Sequence, residues 1–286
     1  MDLRFWLIQT FNGISYGALL FLVGSGLSLI FGVMRIVNLA HGSYFLLGGY
    51  VALSVIWTTH SWVLAVPAAA VAVAALGLVM ERLFLRPLGS EPLRQVLLTA
   101  GFAFLLQQAA LDIWGGDNMD IVPPPALTRS VVVAGIYFPL YRIFMIGMAG
   151  AIGLILWLVL EKTRMGAAVR ATVDDVQMAR GVGIDTSRMS MFIFALGASL
   201  AAIGGVIGGA FLGVYPGLDS QILPIAFAVV IIGGMGSLGG AAIGALVVGL
   251  ADNFGKALFP EISYFTLYAP MALILAVKPT GLFGRD

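Results

Sequence analysis

The sequence has no cysteine and little charge, and these two absences exclude several classes of protein. None of its 286 residues is Cys, and 10% are charged, against about 25% in ordinary soluble domains. Without Cys there is no disulfide, cysteine nucleophile or Cys-ligated metal. With 60% hydrophobic residues and a net charge of +1, a soluble enzyme, a disordered chain and a basic nucleic-acid binder are excluded as well. The composition predicts an all-α polytopic membrane protein, with one transmembrane domain over residues 1–286.

Groups that could support chemistry are also scarce. His41 and His60 are the only histidines, so we predict no metal site. There is no Gly-x-Ser-Gly or Gly-x-Gly-Asp pattern for intramembrane proteolysis, and no ladder of acids for a proton relay. A phosphate loop is missing too, because the single Gly-Lys pair is followed by Ala257. We therefore expect a protein that is not an enzyme and that has no cofactor of its own.

Apolar runs between charges and Pro or Gly predict nine membrane segments. They are residues 5–33, 41–58, 63–81, 95–114, 141–161, 189–212, 220–235, 238–258 and 262–278. The segment 220–235 is short and bounded by Pro and Gly, which also fits a re-entrant half-helix. The fold class is therefore all-α with eight or nine transmembrane segments, one of them either spanning or re-entrant.

The distribution of Lys and Arg predicts the orientation. If nine segments alternate from an N-terminus outside, eleven of the 15 basic residues, Arg285 included, lie on one side and four on the other. The positive-inside rule then places the N-terminus outside and the C-terminus inside. The first span has no basic leader or Ala-x-Ala site, so we expect it to be retained.

The outer loop, residues 115–140, contains two acids and a rigid turn. Asp117 and Asp120 precede the run 123–125 of three prolines. Residues 130–137 then alternate as a short β-hairpin, which must lie outside the hydrocarbon because its edges would be unpaired in lipid. This loop therefore lies on the outer side in the predicted orientation.

The inner loop, residues 162–188, is the most polar stretch. Apolar residues at helical spacing predict one amphipathic helix over about 167–180, ended by Gly181 and Gly183 and followed by Asp185 as a cap for the next span. The helix is either a solvated connector on lipid headgroups or a docking helix for a cytoplasmic partner. For docking, the candidate residues are Arg170, Val173, Asp174, Asp175, Val176 and Arg180, with Val173 and Val176 as the buried edge.

Four stretches carry a resemblance to a known family. They are Gly32-Val-Met-Arg-Ile-Val-Asn-Leu-Ala-His-Gly42, the segment 164–185, Gly233-Gly-Met-Gly-Ser-Leu-Gly-Gly240 and Lys278-Pro-Thr-Gly-Leu-Phe-Gly284. In this order they resemble branched-chain amino acid ABC permeases of the high-affinity leucine/isoleucine/valine type. The likeness covers nearly the whole chain, which is more similar to the shorter of two related permease subunits.

The resemblance implies partners and a location. It implies a bacterial inner-membrane importer with a second permease subunit, two cytoplasmic ATPases that bind the ATP, and a periplasmic substrate-binding protein. The implied solutes are branched-chain or other small hydrophobic amino acids, with urea, short amides or aromatic acids as alternatives. A stand-alone channel or facilitator for a small neutral solute is the competing function.

Five polar residues are candidates for lining a translocation path: Asn12, Asn38, His41, Gln107 and Gln108. Asn38 and His41 would bound the path near its inner gate, or else form a capped cytoplasmic turn with His41 on a backbone carbonyl. The others would contact a solute or hold helices together. Asp219 and Asp252 are expected in hydrated positions near the outer interface. Without a charged pair inside the membrane, the path should contribute only modest selectivity.

Glycines at small-xxx-small spacing predict close helix contacts. The candidates are Gly204, Gly205, Gly208, Gly209, Gly236 and Gly240. They would pack helices within one subunit, or else form an interface between permeases or a seam that slides during transport.

Overall fold

The computed structural model describes residues 2–89, 91–133 and 135–284. Across these ranges the chain forms eleven α-helices and one antiparallel hairpin, which confirms the predicted fold class. Arg285, which entered the charge count, and Ala134 of the hairpin lie outside the described residues.

Each of the nine predicted segments coincides with a helix. The elements are α1 Leu3–Met34, α2 His41–Thr59, α3 Trp62–Met80, α4 Pro92–Trp114, β1 Ser130–Val133, β2 Ile136–Pro139, α5 Leu140–Lys162, α6 Arg164–Asp174, α7 Val176–Gly181, α8 Thr186–Leu212, α9 Leu218–Gly233, α10 Leu238–Leu258 and α11 Ser263–Val277. Among the described residues, six helices are long and apolar enough to cross a membrane, while α9 and the apolar part of α11 are shorter. The protein is therefore membrane-embedded with multiple spans.

Helix α1 lies at the centre of the bundle, and small residues allow its neighbours to approach. A Cβ on Gly17 would lie 2.8 Å from the Ala245 carbonyl oxygen of α10, and one on Gly26 would collide with Gly197 of α8. Close contacts between backbones hold helices together in lipid, because the hydrophobic effect does not drive helix association in an apolar solvent. The core is therefore organised by α1, α8 and α10.

The connection from α1 to α2 turns back into the bundle. Arg35 ends α1 in the left-handed conformation, with φ of 54°. At the start of α2, His41 Nε2 lies 3.0 Å from the carbonyl oxygen of Val23, eleven residues before the end of α1, or about 16 Å at the rise of an α-helix. Residues 35–40 therefore run back along α1, and α2 begins inside the bundle rather than at its end.

The loop 115–140 covers one end of the bundle. Met119 forms an isolated bridge with Val214, in the connection between α8 and α9. The Trp62 indole donates to the Val122 carbonyl at 3.1 Å, and the hairpin pairs Ser130 with Pro139. This end is called the hairpin end below, and the opposite end, which carries α6 and α7, is called the α7 end.

Candidate functional site

The segment 162–188 forms two helices, so the prediction of one helix over 167–180 is wrong. Asp175 leaves the helical conformation, with φ of −153° and ψ of 109°. Its carboxylate accepts from the backbone N–H of Gln177 at 2.8 Å and of Met178 at 2.9 Å. An Asp at this position caps the next helix better than it continues the previous one. The predicted ends agree with the structure, because α7 ends at Gly181 and Asp185 caps α8.

Helix α6 packs its apolar stripe against the bundle of its own chain. Val169 is buried in a cluster with Leu29 and Val33 of α1, and Val173 packs against the same cluster. The expectation that Val173 forms an edge for a partner therefore fails. The physical reason is that the stripe of an amphipathic helix is buried by the nearest apolar surface, which here is intramolecular.

Polar contacts also fasten this segment to the bundle. Arg170 donates to the Leu160 carbonyl of α5 and forms an ion pair of 3.5 Å with Glu161. Arg180 Nε donates to Thr186 Oγ1 at 2.9 Å, in the first turn of α8. Asp174 is exposed at the end of α6. Arg170 thus connects α6 to α5, and Arg180 connects α7 to α8.

The most exposed apolar side chains of the segment lie on and just after α7. Met178 is 69% exposed and Val182 is 75% exposed, while Val176 is 37% exposed and Ala179 is buried. We call Val176, Met178 and Val182 the α7 patch. Of these three residues only Val176 was predicted from the sequence, although Met178 and Val182 have i,i+4 spacing. The break at Asp175 determines which residues face outward.

Three of the four family-like stretches meet at the α7 end. A Cβ on Gly32 would lie 2.8 Å from the Cα of Gly236. The backbone N–H of Leu282 donates to Ile232 at 2.9 Å, and that of Phe283 donates to Gly233 at 3.0 Å. Residues that are distant in sequence therefore form one glycine-rich junction between α1, α9 and the chain after α11.

The six predicted packing glycines all lie against other elements of this chain. Gly204 and Gly208 face α1 and Phe45, Gly205 faces the Phe45 carbonyl, Gly209 faces Ile121 and Val214, Gly236 faces Gly32, and Gly240 faces the Gly233 carbonyl. In this structure these positions bring α8 against α1 and α2, and α10 against α9.

The five predicted path residues do not form one group. Asn38 and His41 are adjacent and buried, and the Asn38 side-chain oxygen accepts from the Ala40 N–H at 3.1 Å. These are the contacts expected of a capped turn, but the turn lies inside the bundle. Asn12 accepts from Arg142, which lies 4.9 Å from the ring of Phe211.

The two glutamines lie on α4, away from this region. Gln107 is partly exposed, and Gln108 is exposed and donates to Asp112 at 2.9 Å on the same helix face. The structure therefore brings Asn38 and His41 together and leaves Asn12, Gln107 and Gln108 elsewhere.

Both acids expected in hydrated positions are buried, so that expectation is wrong. Asp252 pairs with Lys256 at 2.7 Å. Asp219 is 4% exposed and accepts from Ser43 Oγ at 3.1 Å. The short connection before α9 is held by its bridge to Met119 and carries Asp219 inward.

Further buried polar residues were not predicted from the sequence, among them Ser43, Tyr50 and Glu81. Ser43 and Tyr50 lie on α2, and the Tyr50 ring stacks on Trp114 at 4.9 Å. Glu81 is buried in the π-helical turn Glu81–Leu85 that follows α3. The sequence contains one signal of polar groups inside the bundle. This signal is Asp219, a single acid in an otherwise uncharged stretch from Met189 to Ala251.

Comparison with known proteins agrees with this architecture. A sequence model described as branched-chain amino acid transport system / permease component matches residues 9–275. The chain is 31% identical to the high-affinity branched-chain amino acid transport system permease protein LivH of Escherichia coli (strain K12), over 98% of this chain and 96% of that protein. It is 28% identical to BraD of Pseudomonas aeruginosa, over 99% and 97%, and 24% identical to LivM of Salmonella typhimurium, over 91% and 67%. The chain belongs to the family of permease components of branched-chain amino acid transport systems.

Proposed function

We propose that this chain is a permease subunit of an ABC importer that moves branched-chain or other small hydrophobic amino acids across the bacterial inner membrane. The observation that carries the proposal is the match to LivH over 98% of the chain. The chain itself catalyses no reaction and needs no cofactor, because ATP is bound by partner subunits. The absence of a phosphate loop from the sequence supports this division of labour.

The α7 patch is the contact for the ATPase. Three apolar side chains are exposed there on a segment that is otherwise anchored. An apolar edge of this kind fits a groove on a partner, with charges at the rim setting the register. Because Arg170 fastens α6 to α5 and Arg180 fastens α7 to α8, a displacement of α7 is transmitted to two spans.

The second permease subunit is a related chain. The similarity to both LivH and LivM supports a heterodimer of two related permeases. Two such chains would face each other across the path, each contributing the same set of helices.

The hairpin end receives the periplasmic substrate-binding protein. Asp117 and Asp120 are both exposed there, and exposed charges at a rim chiefly affect the rate of encounter. This assignment places the N-terminus outside and the α7 end in the cytoplasm, as the distribution of Lys and Arg favours.

Reconstitution in liposomes tests the proposal. Vesicles with this chain, its second permease, the ATPase and the receptor should accumulate labelled leucine only when ATP and receptor are both present. Vesicles with this chain alone should not take it up.

Two results would contradict the proposal. Uptake by this chain alone, without ATP, would identify a facilitator. A complete assembly that hydrolyses ATP but moves urea or an aromatic acid instead of leucine would refute the amino acid assignment.

A further inference from the structure

A buried acid at the start of α9 has a carboxylate oxygen without a partner. Asp219 is 4% exposed, and its Oδ2 accepts from Ser43 at 3.1 Å. Its Oδ1 accepts no hydrogen bond from any residue that the structure describes. Burying a carboxylate without a full set of partners is costly. The unused acceptor capacity of Oδ1 therefore points to a hydrogen-bond donor that binds only during part of the transport cycle.

Two helix N-termini meet at this acid. Asp219 is the second residue of α9, and Gly42 and Ser43 lie in the first turn of α2. A Cβ on Gly42 would lie 2.5 Å from the Asp219 carbonyl oxygen, so the two first turns are in direct contact. In the described ranges no side chain caps the first turn of either helix, since the Asn38 oxygen accepts from the N–H of Ala40, which precedes α2. Their first-turn N–H groups carry partial positive charge and favour an anion.

A second unpartnered group lies on α2, about two turns after Ser43. The Tyr50 hydroxyl is buried and has no hydrogen-bond partner among the described residues. Tyr50 follows Ser43 by seven residues, which places both on the same face of the helix. The Asp219 carboxylate oxygen Oδ1 and the Tyr50 hydroxyl thus both lack a hydrogen-bond partner on the same side of α2.

We propose that Asp219, Tyr50 and the first turns of α2 and α9 form a transit subsite for the zwitterion of the transported amino acid. Asp219 Oδ1 accepts hydrogen bonds from the ammonium group, and the first-turn N–H groups bind the carboxylate. The ammonium and carboxylate groups of an α-amino acid are attached to the same carbon. This junction places an acceptor for the ammonium group beside donors for the carboxylate. The inference rests on the proposed function, because it takes an amino acid as the solute.

Helix α9 has the features that opening of the subsite requires. Asp219 and Tyr50 are enclosed, so the solute reaches them only when α9 separates from α2. Glycines with positive φ flank α9, Gly217 at 96° and Gly234 at 97°, and Pro224 interrupts its hydrogen bonding. Short discontinuous helices in transporters often bind solutes at their N-terminal ends.

The test compares leucine uptake with ATP hydrolysis in the complete reconstituted importer, with saturating leucine-loaded receptor. Asp219→Asn keeps the shape of the side chain but removes the charge. We expect the leucine moved per ATP hydrolysed to fall about tenfold or more, the loss of a charge-assisted hydrogen bond, while receptor-stimulated hydrolysis persists. Tyr50→Phe removes a hydroxyl that bonds to nothing described, and should lower the same ratio by a smaller factor.

Asp112→Asn is the matched control. It makes the same change at an exposed acid on α4, away from this junction, so the ratio should be retained. The subsite is refuted if Asp219→Asn has the wild-type ratio, or if Asp112→Asn lowers the ratio as much as Asp219→Asn does. It is also refuted if Asp219→Asn lowers assembly, uptake and hydrolysis together, which marks a structural residue. If the wild-type importer moves no leucine, the proposed function fails instead.

Discussion

Neighbouring side chains on and just after α7 have opposite environments. Ala179 is buried against the bundle, whereas Met178 and Val182 are exposed. Burial of Ala179 fixes the rotation of α7 about its axis, and this rotation directs the other two side chains away from the bundle. A partner that covers them gains the free energy of removing apolar surface from water, on the order of 1.5–3 kcal/mol for a fully covered Val or Met side chain.

Val182→Asp should therefore remove the ATPase from the purified complex. Covering an unpaired charge costs about 3 kcal/mol or more, which corresponds to a loss of affinity of about a hundredfold or more. Association can be measured by co-purification and by ATP-dependent uptake. Val132→Asp is the matched control, since Val132 is 54% exposed at the hairpin end, and it should retain the ATPase. Equal retention by both variants would show that α7 is a solvated connector.

Individual residues were predicted well where their role depends on local chemistry. The capping by Asp185 and the contact of His41 with a backbone carbonyl follow from residue type and position. Val173 and Asp219 were placed wrongly, because their surroundings come from residues far away in sequence. Val173 meets Leu29 and Val33 of α1, and no local pattern reveals that contact.

At the scale of elements, the packing of α2 on α8 depends on the absence of side chains. A Cβ on Gly205 would collide with the Phe45 carbonyl, and one on Gly48 would collide with Ala202. Both obstacles are backbone, which cannot rotate away. The close approach of α2 and α8 therefore requires glycine at both positions, because its side chain is a single hydrogen atom.

Gly205→Ala should destabilise the protein by about 1–3 kcal/mol, the usual cost of overpacking. A lower midpoint of thermal denaturation in detergent would show this. Gly101→Ala on α4 is the matched control, because a Cβ there meets no described atom within 4 Å. It should leave the midpoint unchanged or raise it, since Ala favours a helix over Gly. A Gly205→Ala midpoint equal to that of the control would mean that α2 and α8 adjust freely.

The positions of the helices were predictable from sequence, but the paths between them were not. Apolar runs are long, so the predicted segment 238–258 coincides with α10. The return of residues 35–40 along α1 and the break at Asp175 depend on single backbone conformations. Such conformations are selected by tertiary contacts, and hydropathy does not report them.

For the whole molecule, the absence of Cys makes its orientation testable without removing any residue first. Asp117→Cys and Met178→Cys each place one exposed thiol at opposite ends of the bundle. A membrane-impermeant maleimide added to spheroplasts that express this chain without the ATPase should label position 117 and leave position 178 unlabelled until the membrane is lysed. The reverse pattern would invert the proposed orientation and move the ATPase contact away from α7.

Selectivity should be divided between the receptor and this chain. The interior is largely apolar, and the described charged groups in it are few, with Asp252 paired to Lys256 and Asp219 at the start of α9. An apolar surface discriminates weakly among side chains, since one methylene group is worth about 1–3 kcal/mol at most. The choice between leucine and other hydrophobic amino acids should therefore be made where the receptor closes on its ligand.

Exchanging the receptor checks this division. With this permease kept constant, a receptor of different side-chain preference that still docks should change which amino acid is imported, and uptake should follow the affinity of the new receptor. Measuring ATP hydrolysis alongside uptake separates failed docking from failed passage, because a docked receptor stimulates hydrolysis even when its solute does not pass. If the exchanged receptor docks, stimulates hydrolysis and the importer still accepts only the original amino acid, selection lies in the permease. The apolar walls around Asp219 would then be the place to search for it.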